Sequence, residues 1–73
     1  MQSEELSEEH SGVVTAFSDV QGLGEITDVA SVVWPFHCVS IADGSRTIEV
    51  GRQVVFRAGF RVARPEAVSI RSV

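Results

Sequence analysis

A chain of 73 residues that is 44% apolar makes one domain with one core, and this apolar content excludes disorder of the whole chain. A lone cysteine, Cys38, excludes both an internal disulfide and a paired-cysteine metal or redox site. The net charge of −4 argues against strong polyanion binding, but it is unevenly placed: four of the 10 acidic residues (Glu4, Glu5, Glu8, Glu9) lie in the first ten positions, and all 6 basic residues are arginines in the second half. No apolar run of membrane length and no signal-peptide pattern is present, so a reduced, cytoplasmic protein without a membrane partner is expected.

In chain order, residues 1–11 are rich in Glu and Ser, bury too little apolar area to offset ordering, and are expected to form a disordered acidic lead-in to a domain spanning 12–73. The first strand is expected over Gly12-Val13-Val14-Thr15-Ala16-Phe17-Ser18, where β-branched and aromatic residues run into the turn-prone Ser18-Asp19. Gln21-Gly22-Leu23-Gly24-Glu25-Ile26 follows, with a strand from Leu23 to Asp28 whose glycines allow close backbone approach or sharp coiling. Val32 to Cys38 reads as a third strand, with Pro35 demanding an edge or a bulge. One helical turn is expected in Val39-Ser40-Ile41-Ala42, then a turn at Asp43-Gly44-Ser45. The fourth and fifth strands are placed at Gln53–Arg57 and Ala67–Ile70, with a connection over 58–65. Five short strands with a helical turn after the third imply an all-β, five-stranded antiparallel Greek-key barrel of OB type.

The residues also resemble the cold-shock domain family. Gly12-Val13-Val14-Thr15-Ala16-Phe17-Ser18 is similar to that family's Gly-x-Val-Lys-Trp-Phe-Asn, and Gln21-Gly22-Leu23-Gly24-Glu25-Ile26 to its Lys-Gly-Phe-Gly-Phe-Ile. Trp34-Pro35-Phe36-His37-Cys38 followed by Val39-Ser40-Ile41 resembles Val-Phe-Val-His-Phe followed by Ser-Ala-Ile. Gly51 before Val54-Val55-Phe56 completes the likeness, which covers about residues 12–70. The resemblance implies a five-stranded OB barrel that binds single-stranded RNA or DNA by stacking bases on the outer face of strands two and three.

Those outer positions hold Ala16, Leu23, Glu25, Pro35, His37 and Cys38 here, so only the histidine keeps an aromatic ring. Thr15 and Gln21 stand where the family has lysines. Each base stack is worth about 1–3 kcal/mol, so the implied binding is weak. The expected contact residues are His37, Leu23, Phe17, Arg46, Thr15 and Gln21. The rival expectation is a protein-interaction or homodimerisation module, its outer face converted to an apolar patch of Ala16, Leu23, Pro35 and Cys38.

No enzyme, cofactor or metal site is expected. Adjacent strand residues such as His37 and Cys38 point to opposite faces and rarely share an ion. Cys38 lacks an evident base and orienting acid, and the Gly-x-Gly step lacks the third glycine and helix of a dinucleotide loop. Trp34, Phe36, Phe17 and Phe56 are expected in the core. Phe60 is expected to plug one barrel end, with a loop-borne nucleic-acid contact beside Arg46, Arg61 and Arg64 as its alternative.

Overall fold

The computed structural model describes residues 9–61 and 64–73; the expectations placed on Glu4, Glu5 and Glu8 lie outside the described residues. Five strands, β1 (Glu9–Ser18), β2 (Leu23–Asp28), β3 (Val33–His37), β4 (Gln53–Arg61) and β5 (Arg64–Ser72), form one antiparallel sheet in the order β3-β2-β1-β4-β5. The only helical element among the described residues is a single 3-10 turn, Cys38–Ser40. The chain from β3 to β4 passes from one edge of the sheet to the far side of β1. Among the described residues no ladder joins the edge strands β3 and β5, which pack against each other, and a parallel bridge between Ile41 and Ile70, with the Ala42 N–H donating to the Ile70 carbonyl at 2.8 Å, joins these two sides. The expected closed barrel is therefore seen as a five-stranded antiparallel sheet.

Inward residues come from every strand and meet in one core: Val14, Ile26, Phe36, Val54, Phe56, Ala67 and Ile70, joined by Cys38 and Ile41. Val14, Ile26, Phe36, Val54, Phe56 and Ile70 are its largest fully buried side chains, and burying each phenylalanine contributes about 1.5–3 kcal/mol. Phe17 and Trp34 pack against this cluster from its periphery.

Several boundaries differ from the sequence expectation, each because a distant partner supplies what local composition lacks. β1 starts at Glu9, not Gly12. His10 lies opposite Phe56 in the β1–β4 ladder, its ring 5.3 Å from that of Phe56 and 5.1 Å from that of Trp34, while Glu9 forms an ion pair with Arg71. β3 ends at His37, and Cys38 enters the 3-10 turn one residue earlier than expected. The connection expected over 58–65 is instead a hairpin of β4 and β5, with Ala58 opposite Ala67, Gly59 opposite Glu66 and Phe60 opposite Pro65. Pro35 and Pro65 both sit on edge strands, where a missing N–H costs no ladder bond.

Candidate nucleic-acid interface

The candidate face is built by three rows running across β1, β2 and β3. Cross-strand partners share a face. Ala16, Glu25 and Pro35 form one outer row; Ser18, Leu23 and His37 form the next. Between them runs the row Phe17, Gly24 and Phe36, which points inward. A bulge in β1 between Val14 and Ala16 sets this register. Thr15 occupies the bulge, its Oγ1 donating to the Glu25 carbonyl at 3.4 Å and lying 3.0 Å from Thr27 Oγ1.

The glycines are what bring the rows together. A side chain on Gly24 would place its Cβ 2.5 Å from Phe36 Cζ and 2.7 Å from the Ala16 carbonyl oxygen, so only a bare position admits the Phe36 ring there. Gly22 lies in the turn before β2 with φ +69°, and its carbonyl accepts the Cys38 N–H at 2.7 Å, tying that turn to the end of β3. The result is a shallow concavity of about 460 Å³ lined by Ala16, Phe17, Ser18, Leu23, Gly24, Glu25, Pro35 and Phe36. Its only formal charge among these residues is Glu25.

Of the expected contact residues, Leu23 is 48% exposed at this concavity, and His37 is half-buried beside it as Leu23's cross-strand partner. The His37 ring is positioned by the 3-10 turn, whose Val39 N–H donates to Nδ1 at 3.3 Å. Phe17 lines the concavity from the inner row, half-buried, its ring stacked near-parallel on Phe36 at 6.0 Å and 11°. Thr15 is exposed at the bulge, and Gln21 is exposed in the β1–β2 turn; neither lines the concavity. Arg46 is exposed in the loop after the 3-10 turn, where its neighbours Ser45 and Thr47 line a separate, polar concavity.

Two expectations are corrected. Cys38 is not on the outer face: it is 9% exposed within the core cluster, because entry into the 3-10 turn breaks the strand alternation. Phe60 plugs no end of the sheet; it is 75% exposed on the β4–β5 hairpin. Among the described residues, no arginine lines the concavity either. Arg52 lies 3.5 Å from Glu49 and Arg71 pairs with Glu9, and none of the described residues lining the concavity is basic.

Sequence reasoning missed Asp28. One carboxylate oxygen accepts the Ala30 and Val32 N–H groups at 2.8 and 2.9 Å, and the other accepts the Trp34 indole N–H at 2.9 Å. The Trp34 bond, then the Val32 and Ala30 bonds and the nearby His10, hold its pKa below the ordinary aspartate value. An Asp opening a turn was the available signal; its indole partner belongs to β3 and was not.

Among the described residues, no three His, Cys, Asp or Glu side chains gather to hold a metal, and no helix is long and apolar enough to cross a membrane. No protein-family model matches this chain, and no curated protein sequence matches it.

Proposed function

We propose that this chain is a non-catalytic, cold-shock-like protein that binds single-stranded RNA or DNA weakly through the outer face of β1, β2 and β3. The observation that carries the reading is the register that sets Leu23 opposite His37 and Glu25 opposite Pro35 on one continuous face. That is the arrangement the family resemblance implies. A Greek-key barrel of OB type belongs to the same proposal, supported by the strand order and by the Ile41–Ile70 bridge between its two sides. So does a cytoplasmic setting, with which a lone buried thiol accords.

With no arginine among the described residues that line the concavity, contact falls on bases more than on phosphates. Titration of the isotope-labelled chain with a pyrimidine-rich oligonucleotide at low salt is expected to shift the Leu23 and His37 amides at high micromolar concentrations. Amides that stay put under those conditions would refute the proposal.

A second reading is favoured by one specific observation: arginines paired with glutamates away from an apolar-floored face suit a protein partner or a second copy of the chain. Sedimentation velocity over a wide concentration range addresses self-association. A strictly monomeric chain that captures no partner removes this reading.

A further inference from the structure

Two side chains on the outer face are prepared for opposite hydrogen-bonding roles. Glu25 is exposed, and no hydrogen bond or ion pair joins its carboxylate to another described residue. When ionised it is an acceptor only, with two oxygens side by side. His37 has its Nδ1 occupied as the acceptor of the Val39 N–H, so the neutral ring carries its proton on Nε2 and that N–H is left to donate. The two residues are diagonal neighbours in the β2–β3 ladder, since Glu25 faces Pro35 and Leu23 faces His37. Such diagonals span about 7–8 Å, within reach of long side chains. Between and around them, Ala16, Leu23 and Pro35 supply an apolar floor on which the flat of one base can lie.

The bases differ in how their Watson–Crick edges answer this pair. Guanine presents the O6 acceptor followed by two adjacent donors, N1–H and the N2 amine. Cytosine has one donor beside two acceptors, uracil one donor between two carbonyls, and adenine one donor beside an acceptor nitrogen. Only guanine gives a carboxylate two parallel donors; the others bring an acceptor lone pair against it. We infer that the outer face selects guanine, with Glu25 accepting from N1–H and the N2 amine and His37 donating to O6. This rests on the nucleic-acid reading above and adds its base preference.

The preference separates from simple affinity because Glu25 has two opposing effects. Its charge repels every phosphate backbone, and its oxygens reward guanine alone. Removing it should therefore weaken binding to a guanine-containing strand while strengthening binding to a strand that lacks guanine.

The test is fluorescence anisotropy at low salt with three labelled RNA heptamers: all uridine, one central guanosine, and one central inosine, which lacks the N2 amine. The full chain is compared with Glu25→Ala, Glu25→Gln and His37→Phe, each checked for folding by thermal melting; Glu25→Gln stands in if the alanine variant does not fold. The guanosine strand is expected to bind about tenfold tighter than the uridine strand, near the low end of a bidentate base contact, with inosine between them. Glu25→Ala should abolish that ratio with changes of opposite sign on the two strands, and His37→Phe should shrink it while keeping a ring. Equal binding of all three strands with amide shifts at Leu23 and His37 overturns guanine selection and leaves the nucleic-acid reading standing. Absence of binding by every strand, or binding of an arginine-rich peptide in their place, overturns both.

Discussion

Gly24 shows how much of the candidate face depends on one missing side chain. Its position between Phe17 and Phe36 leaves no room for a Cβ, which would meet Phe36 Cζ at 2.5 Å and the Ala16 carbonyl oxygen at 2.7 Å. The second of these is backbone and cannot swing aside. Gly24→Ala is therefore expected to cost about 1–3 kcal/mol of stability, as overpacking does, read as a lowered urea midpoint with an unchanged m-value. A midpoint equal to that of the wild type would show that the β1 backbone at Ala16 and the Phe36 ring both give way at no cost. The flanking outer residues differ in kind, since Leu23 and Glu25 are exposed and their truncation should leave the midpoint nearly unmoved. The Gly-x-Gly spacing was legible in the sequence. Which ring fills the space beside it was not, because that ring comes from β3.

Among the elements, the β2–β3 hairpin is the one held by a single ionised side chain. Asp28 satisfies two turn N–H groups and the Trp34 indole, and Trp34 in turn packs against the His10 and Phe56 rings. Its folded-state pKa is depressed, so the stability it provides is complete above the ordinary aspartate value of about 3.9 and is lost as pH falls through its lowered folded value. Asp28→Asn keeps one acceptor but no charge. The variant is expected to melt at a lower temperature at pH 7 and to lose less on acidification below pH ~4 than the wild type. Circular-dichroism melts from pH 7 to 2 check this; parallel curves for the two proteins would assign the acid sensitivity elsewhere. β1 and the β4–β5 hairpin carry a related lesson. Their strands extend past the segments that composition marks, through pairs such as His10 with Phe56 and Phe60 with Pro65.

For the whole molecule, charge and shape constrain binding more than any residue does. The acidic balance of −4, the ion pairs that occupy Arg52 and Arg71, and a concavity whose described lining residues carry only the charge of Glu25 all limit phosphate contact. If single strands bind to this face, a plot of log K against log salt is expected to have a slope shallower than about −1.5, the value for roughly two neutralised phosphates. A steeper slope in an electrophoretic or anisotropy titration would move the contact surface to the arginines of the β4–β5 hairpin and away from Leu23 and His37.

The sequence by itself determined the all-β class, the bounds of β2, the turns after Ser18 and at Asp43, and the two phenylalanines, Phe36 and Phe56, around which the core closes. These are local matters: alternation, β-branched content and turn chemistry act within a few residues. Tertiary structure alone decided that Cys38 is buried, that the Phe17 ring stacks on that of Phe36, that Phe60 stands exposed, and that Asp28 secures the β2–β3 turn. Each of those outcomes depends on a partner from another strand, and the pairing of distant strands is written in no single stretch of the chain.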